Sequence, residues 1–285
     1  MIKDRIIELC KMSELELYIY METMLSAYYG KKVKKNKYED YLYVQGKDPV
    51  CLVAHMDIVY SNPSSQYCYD QEQKILWSPT GLGADDRAGV LAIILLLERG
   101  YRPSIILTTG EEVGGAGARV MIDDFKKCPI RNINYLIELD RAHSNDCVFY
   151  SCDNKKFKKY IASFGFEESV GTFTDISVFM ETWGIAGVNL SIGYNNEHTY
   201  GEYINIEDFE NTVSKVENMI RESHNCMFFK YVKEKIYFSF NNHICSGCNK
   251  IFRAGDKKLY YRDRTTKERY VYCQECADWI EKNMV

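Results

Sequence analysis

The stretch VCLVAHMD at residues 50–57 joins five apolar residues to an imidazole and a carboxylate. An unbroken apolar run of this length is typical of a buried strand in a parallel sheet. Three later runs have the same form: Ser104–Thr108 leads to Glu111, Tyr135–Ile137 leads to Asp140, and Val188–Ile192 leads to the loop that carries His198. Because the carboxyl ends of the strands in such a sheet open into one crevice, we expect these side chains to converge.

Two histidines and at least three acidic residues in one crevice form a ligand set for hard to borderline metal ions, with zinc as the first choice. Each short motif alone is weak evidence. Asp85 or Asp86 could cap the helix that follows them, and Glu111 with Glu112 could form a solvated loop. The complete ordered set favours a metal site over these alternatives.

Five motifs of the chain resemble those of the co-catalytic dizinc exopeptidase clan, in the order that the clan has them. This clan includes the leucyl and glutamyl aminopeptidases and the acetylornithine deacetylase and peptidase T family. The resemblance covers roughly residues 40 to 222. The motifs are VAHMD at 53–57, GADDRAGV at 83–90, TGEEVGGAGAR at 109–119, LIELD at 136–140 and NNEHT at 195–199.

The resemblance implies two catalytic metal ions, zinc or else manganese or cobalt, held by five side chains. Asp85 would bridge both ions. His55 and Asp140 would complete one site, and Glu112 and His198 would complete the other. The predicted cofactors of the body are therefore two ions that share one carboxylate.

The resemblance also implies roles for residues that do not bind metal. Asp57 would orient the ring of a metal-binding histidine, and Glu111 would be the general base that takes a proton from water between the ions. The peptide bond between Asp85 and Asp86 would be cis. Asp175 is a candidate for substrate contact, although it could equally be a helix N-cap.

The pattern at the strand ends and the resemblance imply an α/β fold class, and chain length and motif spacing narrow the architecture. A chain of 285 residues has room for one large domain and a small module. Asp140 and His198 are 58 positions apart, and His55 and Asp85 are 30 positions apart. Neither interval can hold an inserted lid domain of the kind that some clan members carry. We therefore expect a lidless three-layer α/β/α body with a mostly parallel mixed sheet, similar to leucyl aminopeptidases.

Near the carboxyl end, two CxxC pairs are separated by 24 residues: Cys245 with Cys248, and Cys273 with Cys276. This spacing predicts a four-cysteine structural zinc site, in which the metal supplies folding energy to a small module. A redox dithiol is the alternative for a single pair. Residues 252–272 are predicted to form a β-hairpin with residues 263–267 at its tip. The expected domains are residues 1–225 for catalysis, 226–241 as a connecting segment and 242–285 as the zinc ribbon.

Two basic regions leave the question of partners open. Residues 31–37 contain five lysines and could contact nucleic acid or anionic lipid, but a solvated loop is the favoured interpretation. The ribbon could bind nucleic acid or a protein, or it could shape one wall of the substrate cleft, but structural support is the favoured interpretation. Its basic residues are Lys250, Arg253, Lys257, Lys258, Arg262, Arg264, Lys267 and Arg269.

The chain lacks an apolar segment that would act as a signal peptide or membrane span, so we expect a cytoplasmic protein without membrane contact. The odd count of eleven cysteines favours thiols and zinc over disulfides. The predicted function is hydrolysis of a terminal amide bond of a peptide, as an aminopeptidase. The alternatives are an N-acyl amino acid deacylase or carboxypeptidase that acts on an acylated amino acid or peptide, and a non-catalytic zinc-ribbon adaptor. The oligomeric state is not predicted.

Overall fold

The computed structural model describes residues 1–234, 244–248, 250–252, 256–262 and 269–283. The chain divides into two compact units, Met1–Glu234 and Lys235–Val285. The helices are α1 (Ile2–Cys10), α2 (Glu14–Tyr29), α3 (Ala84–Glu98), α4 (Ala116–Asp124), α5 (Lys155–Ala162), α6 (Asp175–Trp183), α7 (Ile206–Ser223) and α8 (Gln274–Asn283).

Fourteen strands accompany these helices in the described residues. The first seven are β1 (Lys34–Lys35), β2 (Tyr41–Val44), β3 (Asp48–His55), β4 (Cys68–Asp70), β5 (Ile75–Trp77), β6 (Pro103–Thr108) and β7 (Tyr135–Arg141). The other seven are β8 (Asp146–Val148), β9 (Glu167–Glu168), β10 (Gly187–Ser191), β11 (Tyr194–Asn195), β12 (Tyr203–Asn205), β13 (Leu259–Arg262) and β14 (Arg269–Tyr272).

The main sheet of the first unit has eight strands in the order β1-β2-β6-β3-β7-β10-β8-β9. Its four central strands, β6, β3, β7 and β10, run parallel, and the antiparallel strands β2 and β8 flank them. Helices cover both faces of this sheet. The α/β fold class with a mostly parallel mixed sheet is therefore confirmed.

The central strands are mostly apolar because both of their faces are covered. All six residues of β6 and all five of β10 are buried. Helix α3 packs on β3 and β7 together with α1 and α7, whereas α4 and α6 pack on one another and reach β2, β7 and β10. The hydrophobic core thus fixes the strand ends that carry the predicted site residues.

Two segments of the first unit differ from the expected outline. The lysine-rich segment, predicted as a loop, contributes the edge strand β1 to the main sheet. The predicted boundary at residue 225 falls within the first unit, where the N–H of Phe229 donates to the carbonyl of Asn134 at 2.8 Å. A second, four-stranded sheet has the order β11-β12-β5-β4, and its strands β4 and β5 lie in the interval between His55 and Asp85. In the residues that the structure describes, no helix is long and apolar enough to cross a membrane.

The second unit contains the antiparallel hairpin of β13 and β14, which confirms the predicted hairpin. Residues 244 and 251 form an isolated antiparallel bridge beside the first cysteine pair, and α8 begins directly after Cys273 and contains Cys276. The predicted hairpin tip at 263–267 lies outside the described residues. Also outside the described residues are 235–241 of the predicted connecting segment and the basic residues Arg253, Arg264 and Lys267.

Candidate metal centre

The side chains predicted to bind metal lie at the carboxyl ends of neighbouring strands. His55 ends β3, Asp140 is in β7, and Glu112 is in the loop that follows β6. Asp85 is at the start of α3, and His198 is in the loop between β11 and β12. Because β6, β3 and β7 are adjacent and parallel, their ends meet on one edge of the sheet. The structure brings these five side chains together.

Asp85 lies between two histidines and offers one carboxylate oxygen to each. Its Oδ1 is 3.1 Å from Nε2 of His55, and its Oδ2 is 3.2 Å from Nε2 of His198. Each histidine has a second carboxylate: Asp140 Oδ1 is 3.6 Å from His55 Nε2, and Glu112 Oε2 is 2.9 Å from His198 Nε2. The arrangement is that of two ligand sets joined by one shared carboxylate.

The chemistry of the cluster fits divalent cations of the zinc type, which take imidazole nitrogen and carboxylate oxygen as ligands. Ligand atoms of His55, Asp85 and Glu112 lie within 4.8 Å of one another. Oε1 of Glu112 is buried and has no hydrogen-bond partner. A buried carboxylate oxygen without a partner is costly unless a cation satisfies it. The residues of this group therefore fit a bound divalent cation.

The pKa values of the cluster reflect its uncompensated negative charge. Burial and the neighbouring Asp85 raise the pKa of Glu112 to about 7. Burial, with Asp140 nearby, raises the pKa of Glu111 to about 8. The hydrogen bond to Asp85 raises the pKa of His198 to about 9. Positive charge in the cluster would reverse these shifts, because it favours the ionised carboxylates and the neutral imidazoles.

Asp57 contacts His55 and the loop that carries Glu111 and Glu112. Its Oδ1 is 3.3 Å from Nδ1 of His55. Its two oxygens accept the backbone N–H groups of Glu111 at 3.2 Å and of Glu112 at 3.1 Å. One carboxylate thus lies beside the imidazole and accepts hydrogen bonds from the backbone of both acidic residues, and the second contact was not predicted from the sequence.

The two adjacent aspartates at the start of α3 have different surroundings, and the peptide bond between them is cis. Asp85 faces the histidines. The Oδ1 atom of Asp86 accepts the N–H of Gly89 at 2.9 Å, so Asp86 satisfies the first turn of the helix. The helix-capping alternative therefore applies to Asp86, while Asp85 belongs to the candidate metal centre.

Asp140 is held by side chains that the sequence analysis did not identify. The hydroxyl of Tyr194 donates to its Oδ1 and that of Thr174 donates to its Oδ2, both at 2.9 Å. The side chain of Asn189 accepts the N–H of Asp140 at 2.9 Å and donates to its carbonyl at 2.7 Å. In the sequence, the one indication of these contacts is Asn189, a polar residue within the apolar run of β10.

Asp175 is the first residue of α6, and Thr174 occupies the N-cap position. The Asp175 side chain is fully buried, and its Oδ2 accepts a hydrogen bond from the Thr108 hydroxyl. Its Oδ1 has no partner, and burial raises its pKa to about 7. Its role in substrate contact stays a prediction.

The four cysteines of the second unit also form one group. The sulfur atoms of Cys245, Cys248, Cys273 and Cys276 lie within 4.8 Å of one another. The sulfur of Cys245 accepts the N–H of Gly247 at 3.4 Å and that of Cys273 at 3.3 Å. Four thiols at this distance suit a closed tetrahedral zinc site.

Purified protein should contain about three metal ions per chain, two in the body and one in the ribbon. Elemental analysis after incubation with added zinc measures the total. Changing Cys245 and Cys248 to Ser should remove one ion and leave the other two. A total of about one ion, lost completely in that double variant, would contradict the metal centre of the body.

Solved structures resemble the chain at low sequence identity. A tripeptidase from Staphylococcus aureus matches with a TM-score of 0.63 and 14% identity, over 78% of this chain and 98% of that one. The aminopeptidase PepT from Bacillus cereus matches with a TM-score of 0.62 and 15% identity, over 78% and 99%. No family model and no curated protein matches the chain. The chain therefore has a fold that is also found in solved peptidase structures.

Proposed function

We propose that the chain is a dimetal aminopeptidase that removes a residue from the amino end of a peptide. The observation that carries this proposal is Asp85, whose two oxygens face His55 and His198 at 3.1 and 3.2 Å. Each histidine has its own further carboxylate, and an additional acidic residue, Glu111, adjoins the cluster. Two ligand sets with one shared carboxylate and a neighbouring base are what metal-assisted amide hydrolysis requires.

His55, Asp85 and Asp140 would hold one ion, and Asp85, Glu112 and His198 the other. Bound ions supply Lewis acidity and lower the pKa of water. Glu111 would accept a proton from the attacking water and deliver it to the leaving amine.

The charge of the site favours a substrate that presents a free amino end. A buried group of carboxylates attracts an ammonium ion and repels a substrate carboxylate. A deacylase or carboxypeptidase needs a cation to hold a substrate carboxylate, and the sequence suggests Arg141 or Arg119. The Nη2 atom of Arg141 lies 3.7 Å from Oδ2 of Asp146. The Nε–H group of Arg119 donates to the carbonyl of Gly114 at 3.0 Å. These contacts make both arginines weaker candidates.

A non-catalytic adaptor is the rival from another class. Loss of catalysis would remove the need for a complete ligand set and a base, and this chain retains both. For the ribbon we propose structural zinc, with support of the catalytic body as its role. Contact of the ribbon with nucleic acid or protein, and a cytoplasmic location, remain proposals that other experiments must decide.

A free amino group should accelerate hydrolysis. We expect an aminoacyl anilide to be cleaved faster than its N-acetyl counterpart, because the acetyl group removes the charge that the carboxylates attract. The assay uses both compounds at the same concentration, with zinc, manganese and cobalt in turn. Faster cleavage of the acetylated compound would favour the deacylase, and no cleavage of either by metal-loaded protein would support the adaptor.

A further inference from the structure

Glu202 is a buried glutamate, 1% exposed, that lies four residues after His198. Its carboxylate accepts the N–H groups of three consecutive residues. Oε2 accepts from Gly83 at 2.7 Å, and Oε1 accepts from Ala84 at 2.7 Å and from Asp85 at 3.0 Å. One side chain thus holds the backbone of the shared ligand Asp85.

Tyr60 connects a third loop to the same point. Its hydroxyl donates to the carbonyl of Thr199 at 2.6 Å and lies 3.1 Å from Oε2 of Glu202. Its ring lies against Gly81, where any side chain would collide with it. The loops that carry Asp57, Asp85 and His198 therefore meet around Glu202 and Tyr60.

The loop of His198 needs such an anchor because its backbone is strained. Asn196 has φ of 56° and His198 has φ of 61°, a left-handed conformation that is unfavourable for residues other than glycine. Strain of this kind persists only where surrounding contacts enforce it. The contacts of Glu202 and Tyr60 lie directly after the strained residues.

We propose that Glu202 is a positioning residue, which holds Asp85 and His198 at the separation that a metal pair requires. This inference rests on the proposed function. His55 and Asp140 lie in the strands β3 and β7, outside the backbone segment that Glu202 contacts. The site completed by Glu112 and His198 lies on loops, so Glu202 should control that site more than the other.

Glu202→Gln should weaken the loop-borne site selectively. The amide has the size of the carboxylate, but its NH₂ group would face an N–H donor of the loop, and the negative charge is lost. Calorimetric titration of full-length protein with zinc should show the dissociation constant of the loop-borne site raised about 10-fold to 100-fold. The body site that His55 and Asp140 complete should change less, and the ribbon ion should be unaffected.

Tyr60→Phe provides a milder variant, and Glu210→Gln provides the matched control. Tyr60→Phe removes one hydroxyl and should raise the same dissociation constant by a smaller factor. Glu210 is exposed on α7, so the same chemical change there should leave all three sites as in the wild type. Circular dichroism establishes that each variant is folded.

Four results can contradict the inference. A folded Glu202→Gln that titrates like the wild type overturns it, and so does equal weakening of both body sites. If Glu202→Gln does not fold, the inference is overturned when Tyr60→Phe binds zinc with the same affinities as the wild type. Wild-type protein with fewer than two body ions contradicts both proposals. If wild-type protein binds two body ions but cleaves no peptide, only the proposed function is contradicted. The inference about Glu202 still holds or fails by itself, because it is measured as metal affinity.

Discussion

Replacing Glu111 with Gln should lower the turnover number by about 100-fold to 10,000-fold, the usual effect of losing a general base. Gln has the same size but cannot accept the proton from water. The residue is not one of the five proposed ligands, so the metal content should remain at about three ions per chain. Steady-state kinetics on an aminoacyl anilide, with elemental analysis of the same preparation, measures both quantities.

Glu112→Gln is the matched control, because it changes the adjacent residue in the same way. Oε2 of Glu112 is 2.9 Å from Nε2 of His198, so this variant should lose affinity for one body ion. Excess metal should restore part of its activity, whereas excess metal should not rescue Glu111→Gln. The opposite pattern would show that the roles of the two glutamates are reversed.

Asp85→Asn should abolish hydrolysis and reduce the metal content of the body from two ions toward none. Asp85 gives one oxygen to each histidine, and Asn offers a single neutral oxygen in place of two charged ones. The ribbon should keep its ion because its proposed ligands are the four cysteines. Elemental analysis and an anilide assay measure the outcome.

Asp123→Asn is the control for this change, since Asp123 is exposed and its carboxylate pairs with Lys126 on the surface. It should retain all ions and normal turnover. An Asp85→Asn protein that is folded and still holds two body ions would contradict the shared-ligand role. Partial loss, with one body ion retained, would mean that Asp85 serves only one of the two sites.

The sequence predicts the central part of the fold well because that part is recorded in local patterns. Apolar runs such as residues 104–108 predict strands that are buried on both faces, and the polar residues that follow them predict the crevice. The contacts that support the ligands leave no such pattern. Gly83 and Glu202 are 119 positions apart, and only folding brings the carboxylate of Glu202 to the Asp85 loop.

Short peripheral strands were missed for a related reason. Strands β11 and β12 have two and three residues, too few for an alternating pattern to be recognised, and they form only because they pair with β5 and with each other. The division of roles between Asp85 and Asp86 could be stated only through family resemblance, since the two residues are chemically identical and adjacent.

The two outer strands of the main sheet carry charges of opposite sign. The edge strand β1 is Lys34–Lys35, and the edge strand β9 is Glu167–Glu168. In a dimer with two-fold symmetry, an edge that paired with itself would place lysine beside lysine or glutamate beside glutamate. Such like-charge pairs destabilise strand pairing. Two-fold association of this protein through a sheet continued across either edge of its main sheet is therefore disfavoured.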